Sequence, residues 1–586
     1  MKLLRFKLNT PFRSLPDGFE VSFLPEDGRQ SPWECNPYCL AGRNGSGKSN
    51  ILEALAAIFY HIECIYLNYR PPAFEGEAGS RGFFKSEVSH PDAYELDYLY
   101  ELSIDERPIH DLPSNVDDYL GTVLIRKETG KRPVIYKKLP GGLEEVLRRD
   151  IKKFLPEYII GYSSGENEIL SLPFFKMRFV HFDEYRDRLL DERGYTKPEA
   201  RFIFADASYS QAIFLANYLM QEQHILAPFY QVLGIKGLEQ FRIIIRTDQS
   251  VNTVVNSQND EDRAFSEEHG DFVASEYDMD EKTLTDLITD SIISKLKKCA
   301  TTWDEDDKTG KLYLDYLVTD ATKQAFQHHF QNEPIELFQA FQILLTLNLF
   351  EVSYQLRSEL YQSESLFVSE TVPVTARNQR IMQIDDIKIS KEGVGELFTK
   401  SLSDGEHQYL HTIGLCLLFR NTNSLFLLDE PETHLNPDWR SSFISVLRSS
   451  VEGNSATRYR DGPSYQDFLI TSHSPFIISD CKREYVLVFS KEQVLDESGY
   501  TRLQTRAARP DFKTFGASVN QITIKIYGQK DTIGDFAKSK IDGFRRRLQQ
   551  GEDPEKLIGE VNDLLGDSVE KIMFINEALD VQEGNQ

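Results

Sequence analysis

The clearest chemical signal in the chain is Gly42-Arg43-Asn44-Gly45-Ser46-Gly47-Lys48-Ser49, which matches G-x-x-x-x-G-K-[ST]. The glycines let backbone N–H groups converge on phosphate oxygens, and a following helix N-terminus favours their negative charge. Lys48 is placed to reach the β- and γ-phosphates of a nucleotide, and the Ser49 hydroxyl to ligate Mg²⁺. The flanks suit this chemistry. Pro37–Ala41 is apolar and long enough for one buried strand, and Ile51–Phe59 has helix formers with apolar residues at helical spacing.

Three further stations lie in the last third of the chain. In Leu402-Ser403-Asp404-Gly405-Glu406-His407-Gln408, a serine and a glycine open an apolar helix and create a second anion-binding N-terminus. Ser403 and Glu406 also have the spacing of a capping box, and both readings hold. Ser424–Leu428 is an apolar strand that delivers Asp429 and Glu430 to one point, at the edge where α/β sheets bind ligands. Asp429 would hold Mg²⁺, and Glu430 would orient and deprotonate a water. Asn436 and Pro437 then suit the N-cap and first turn of a helix. Asp467–Thr471 reads as a strand running into Ser472-His473-Ser474-Pro475, so that His473 can reach a γ-phosphate.

The remaining elements must bring these stations together. Residues 1–41 read as short strands with turns at Pro16–Gly18 and Pro25–Gly28, followed after the first helix by strands at Ala93–Ile104, Gly121–Lys127 and Pro133–Lys138. Leu143–Phe154 is amphipathic and basic. Tyr158–Tyr162 reads as a buried strand, and the turn Ser163–Asn167 either faces the nucleotide cleft or is a surface loop. Helical periodicity dominates Ser210–Leu226, Lys282–Lys298, Thr322–Phe330 and Ile335–Leu360, while acidic, polar Val251–Glu281 reads as a mobile excursion. These boundaries divide the chain into 1–169, a mainly helical insertion 170–379, 380–530 and a helical region 531–586. Within that last region, Arg545-Arg546-Arg547 is either a solvated helix face or a contact for nucleic acid or a partner.

Composition narrows the class. A chain of 586 residues needs more than one ordinary core. A net charge of −26 argues against indiscriminate coating of nucleic acid while leaving room for a local basic groove. Met1–Leu8 lacks the apolar run of a signal peptide, and no stretch is long enough to span a membrane. The six scattered cysteines, without a CxxC pair, read as reduced, mostly buried thiols of a cytoplasmic protein.

Together, the loop at 42–49, the signature at 402–408, the acidic strand at 425–430 and His473 resemble the ABC-type ATPase heads of the SMC, RecF and OLD proteins. The resemblance implies an α/β P-loop NTPase fold, with an ABC-type head split by the helical insertion and followed by a short C-terminal helical region. It also implies ATP and Mg²⁺ as cofactors. ATP held on the 42–49 loop of one subunit would be closed by Ser403, Gly405 and Glu406 of another, so a homodimer or higher homo-oligomer is expected. Glu430-Pro431-Glu432-Thr433-His434-Leu435-Asn436-Pro437 and Thr471-Ser472-His473-Ser474-Pro475 have the form of the OLD-like branch. Gly161–Glu168 and Phe515-Gly516-Ala517-Ser518 are similar to PtuA-type ATPases of Septu and retron anti-phage systems. That likeness implies an HNH nuclease partner and, in a retron, a reverse transcriptase with its RNA–DNA hybrid. The alternatives are a repair or recombination ATPase that clamps nucleic acid itself, and an ATP-binding scaffold with little turnover. No Q-loop glutamine is placed, since the turn after Tyr162 offers Asn167 instead. After Val488 no glutamate followed by a D-x-D pair marks the nuclease centre that OLD proteins carry.

Overall fold

The computed structural model describes residues 1–23, 35–74, 84–102, 120–139, 141–165, 167–190, 201–246, 292–452, 466–495, 501–529 and 533–584. The acidic stretch 251–281 and the turn at 25–28 lie outside these.

One seven-stranded sheet organises the site. Its members are β3 (Tyr38–Gly42), β8 (Tyr158–Ser163), β9 (Phe202–Phe204), β15 (Ser424–Asp429), β16 (Asp467–Ser472), β17 (Val486–Leu495) and β18 (Thr501–Ala508), in the order β18-β17-β3-β16-β15-β8-β9. All neighbours are parallel except the β17–β18 hairpin. Parallel strands covered on both faces read as continuous apolar runs, and every residue of β3, β15 and β16 is buried. Successive side chains go to opposite cores: Leu425 and Leu427 join one cluster, and Phe426 and Leu428 the other. Each contributes about 2 kcal/mol by burial.

On the first face lie helix α1 (Lys48–Tyr66), α2 (Glu168–Leu190) and an antiparallel six-stranded sheet. That sheet runs β2-β1-β4-β5-β6-β7, formed by β1 (Lys2–Leu8), β2 (Glu20–Ser22), β4 (Tyr94–Glu101), β5 (Leu120–Lys127), β6 (Val134–Leu139) and β7 (Gly142–Glu145). The opposite face carries α3 (Ala207–Met220), α4 (Pro334–Thr346), α5 (Asp404–Leu418) and α6 (Pro437–Glu452). A third sheet belongs to that side, in the order β11-β12-β10-β13-β14. It comprises β10 (Ile235–Arg246), β11 (Thr302–Asp306), β12 (Lys311–Leu317), β13 (Met382–Lys391) and β14 (Gly395–Phe398). The chain continues through α7 (Val519–Tyr527) to α8 (Asp535–Gln549), α9 (Pro554–Leu564) and α10 (Val569–Gly584), which share a small core of their own.

The stretch 170–379 carries strands among its helices: it supplies β9 to the seven-stranded sheet, and β10–β12 to a sheet completed by β13 and β14 from beyond residue 380. Burial of Phe241, Ile243 and Ile245 along β10 has a period of two, a strand signal that the surrounding helical blocks obscured. Leu143–Phe154 forms the end of β7, a short 3₁₀ turn and one helical turn, because pairing of β7 with β6 takes its first residues. All six cysteines are buried free thiols. No single helix among the described residues is long and apolar enough to cross a membrane.

Candidate nucleotide site

The strand order puts the ends of β3, β16 and β15 side by side, and the sequence stations follow directly from those ends. The loop after β3 is left-handed at three glycines, with φ of 144° at Gly42, 70° at Gly45 and 96° at Gly47. At Gly42 a Cβ would also fall 2.4 Å from the backbone oxygen of Phe489, so glycine is needed there for space as well as for backbone geometry. Arg43, Asn44 and Gly45 sit at the exposed rim of the loop, while Ser46 Oγ is buried without a hydrogen-bond partner among the described residues. Lys48 is the first residue of α1, and its Nζ donates to the carbonyls of Gly42 (3.2 Å) and Arg43 (3.3 Å).

Asp429, at the end of β15, is the hub. Its Oδ1 accepts from Ser49 Oγ at 2.8 Å and from Thr471 Oγ1 at 2.6 Å, and its Oδ2 accepts from Asn167 Nδ2 at 2.7 Å. The next residue, Glu430, has φ of 48°, a left-handed backbone that costs a non-glycine residue about 1 kcal/mol or more. Its N–H is pinned to Thr471 Oγ1 (3.0 Å), which holds the carboxylate beside the histidine. Glu430 Oε1 lies 3.2 Å from His473 Nε2, and the same nitrogen lies 2.8 Å from Lys48 Nζ. Nε2 accepts from the ammonium or donates to the carboxylate, not both, so His473 stands between two mutually exclusive bonds.

Two charges are tuned by this arrangement. The hydrogen bond from His473 holds the Glu430 carboxyl below its usual range, keeping it ionised at neutral pH. Burial pushes the Lys48 ammonium down, opposed by the charges of Glu430 and Asp429. The oxygen donors of Ser49 and Asp429 fit Mg²⁺, which is held by one or two protein oxygens together with substrate phosphates. Among the described residues no cluster of three or more His, Cys, Asp or Glu forms an all-protein cage. When bound, the ion would supply charge neutralisation for the phosphates.

The signature stands apart from this cluster. Ser403 caps α5 in a capping box: its N–H and its Oγ each donate to Glu406 Oε2 at 2.8 Å. Glu406 is paired with Lys391 of β13. Gly405 packs against the chain after the acidic strand, where a Cβ would lie 2.7 Å from His434 O. One turn on, Gln408 Oε1 accepts from His434 N at 2.8 Å. Among the described residues, the hydrogen bonds and ion pairs of Ser403, Gly405 and Glu406 reach none of residues 42–49, 429, 430 or 473. Within one chain the signature residues are therefore held by local partners, Ser403 by Glu406 and Glu406 by Lys391.

Several participants escaped sequence reasoning. Asn167 occupies the turn after β8 and reaches Asp429, which resolves that turn in favour of the cleft. Thr471 bonds both acids, and buried Glu432 accepts from Ser472 Oγ, which in turn accepts from Ser474 N at 2.9 Å. These bonds shape the turn that carries His473. Glu432 is also a pH-sensitive element: burial raises its carboxyl to about 7, and burial does the same to Glu53 on α1. Unfolded glutamates titrate near about 4.3. Between those values the folded chain keeps protons that the unfolded chain has lost, so stability falls as pH rises from about 4 to about 7. The double change Glu53→Gln and Glu432→Gln is expected to flatten that fall, worth on the order of 3 kcal/mol per site at the alkaline end. Thermal melts at the two pH values check it, and an unaltered slope would contradict it.

Comparison with known proteins adds the following. Residues 337–479, which carry Ser403, Asp429, Glu430 and His473, match the family described as "AAA domain, putative AbiEii toxin, Type IV TA system". The fold is that of a P-loop NTPase. Over 183 residues the chain is 26% identical to Protein ea59 of Escherichia phage lambda, an alignment taking in 30% of this chain and 29% of that protein. The chain thus matches less than a third of that curated relative's length. Two solved structures are also similar. One is an Smc head bound to the C-winged helix domain of ScpA, with a TM-score of 0.30 and 10% identity over 87% of this chain and 98% of that one. The other is an Smc head domain with a coiled coil and joint derived from Pyrococcus yayanosii, with a TM-score of 0.28 and 13% identity over 89% and 98%.

Proposed function

We propose that the chain is an ATP-hydrolysing ABC-type ATPase that closes as a dimer around ATP and controls a nuclease carried on a separate chain. One observation carries the ATPase reading: Lys48, Ser49, Asp429, Glu430 and His473 meet at the carboxyl edge of three adjacent parallel strands. Lys48 binds phosphate, Ser49 and Asp429 hold Mg²⁺, Glu430 takes the proton of the attacking water, and His473 contacts the transferred group. The dimer reading is supported by the exposed Ser403 and by the separation of the signature from the phosphate loop within one chain.

It can be tested by complementation. A Lys48→Ala chain and a Ser403→Arg chain are each expected to be inactive, while an equal mixture regains about a quarter of the intact sites through mixed dimers. No recovery on mixing would rule out the composite site.

The nuclease reading rests on Gly161–Glu168 and Phe515-Gly516-Ala517-Ser518, which are similar to PtuA-type ATPases, within a chain whose motif forms at 430–437 and 471–475 are those of the OLD-like branch. The matched family's description refers to a toxin–antitoxin system, and the curated relative is a phage protein. A tagged chain expressed with its genomic neighbours is expected to retain a small HNH protein, accompanied in a retron by a reverse transcriptase and its RNA–DNA hybrid. Recovery with DNA and no nuclease would instead support a nucleic-acid clamp of RecF or SMC type. Binding of ATP without turnover would support a scaffold.

A further inference from the structure

Helix α7 is built to end in a fixed place. The Ser518 side chain accepts from Gln521 N at its start, Ile522 and Ile526 are buried in the main core, and Gly528 turns left-handed (φ 65°) at its end. This places Tyr527 between two of the stations. Its carbonyl oxygen accepts from Arg43 Nε of the phosphate loop at 2.6 Å. Its hydroxyl donates to Ser472 O at 3.4 Å, and its ring centre lies 6.1 Å from that of His473 with the planes 30° apart. A guanidinium at the carbonyl end of a helix is favourable both as a cap and against the helix dipole. Gly528 makes room for it, since a Cβ there would fall 2.4 Å from Arg43 Nη2.

We propose that Tyr527 is a positioning residue that ties the phosphate loop to the histidine turn and fixes where His473 stands between Lys48 and Glu430. The catalytic half of this proposal rests on the ATPase reading above; the mechanical half does not. An imidazole whose single nitrogen can face either Lys48 or Glu430 needs a wall that limits its swing, and the Tyr527 ring lies beside it. The chain leaves Tyr527 directly for α8–α10, whose core of Ile541, Phe544, Leu557, Val561 and Phe574 is separate from the rest. A shift of Arg43 or His473 therefore acts on the root of that helical unit.

The test uses the full chain. Tyr527→Leu is expected to lower kcat for ATP about tenfold with KM changed less than about twofold, a loss made only in the reacting state. Tyr527→Phe keeps the ring and should restore most of that loss. Hydrogen exchange without nucleotide gives a readout independent of turnover. Tyr527→Leu should speed exchange at residues 42–48 and 472–475, and Arg43→Ala should speed it at 523–529, with the β15 and β16 amides unchanged. Unaltered exchange at both loops overturns the proposal, whatever the turnover. So does a general rise that includes the sheet, or equal losses in the Phe and Leu variants. A chain that hydrolyses no ATP but shows the expected exchange pattern would sink the ATPase reading and leave the mechanical tie standing.

Discussion

Glu430→Gln is expected to lower steady-state ATP turnover on the order of 100-fold or more while leaving ATP bound. Glutamine keeps the length of the side chain and its reach toward Thr433, but it cannot take a proton from water. The wild-type carboxyl is ionised at neutral pH and so can take one, and the His473 hydrogen bond holds it below its usual range. It does not hold the phosphate loop together: the bonds of Lys48 to the Gly42 and Arg43 carbonyls, and of Ser49 to Asp429, do not involve it. Binding and hydrolysis should therefore separate. Because hydrolysis is the step that reopens the proposed dimer, the variant should accumulate as an ATP-bound dimer. Phosphate release and light scattering with ATP and Mg²⁺ report the two effects. Wild-type turnover would mean that water is activated elsewhere, and lost ATP binding would recast Glu430 as a ligand-holding group.

Lys48→Ala should act at the opposite stage. Lys48 is 5% exposed, and charge-assisted bonds from its ammonium to phosphate would be worth about 1.5–3 kcal/mol each, so its loss is expected to weaken ATP binding on the order of 100-fold. ATP-dependent dimers should vanish with it. The fold should not suffer, because burial disfavours the charged form of Lys48 in the apo chain. Melting without nucleotide is therefore expected at or above the wild-type temperature, and only the wild type should gain stability when ATP is added. Equal ATP stabilisation of both chains would show that the 42–49 loop is not the nucleotide site. With Lys48 gone, His473 Nε2 also loses its competitor and is left to Glu430, so any residual activity reports a histidine committed to one partner.

These two variants probe residues 382 positions apart in the chain, and that separation explains what the sequence could reveal. Its legible features are local. A strand, a glycine loop and a helix succeed one another within thirty residues, and the observed bounds Tyr38–Gly42 and Lys48–Tyr66 enclose or overlap the expected ones. The Ser403–Glu406 capping box is a three-residue spacing, and it forms as read. Asn436 accepts from Trp439 N ahead of a helix that opens on Pro437, again a short-range rule. In each case one or two turns of backbone supply all the partners the motif needs.

Where the partner is remote, the residue types were silent. Thr471 is an ordinary strand residue until the order β3-β16-β15 sets it between Asp429 and Glu430. Asn167 lies 262 positions from Asp429, and its turn alone left the cleft and the surface as equal readings. Tyr527 belongs to a short helix beyond every motif, and it meets Arg43 across 484 positions.

The sequence alone therefore determined that this chain carries a phosphate loop, an acidic strand, a signature helix and a histidine turn, because each is written in adjacent residues obeying local backbone and capping physics. Only the tertiary structure decided that the loop, the acids and the histidine converge, while the signature helix packs on the chain after the acidic strand. That outcome depends on strand order and on which face of the sheet each helix covers, and no local window of residues encodes either.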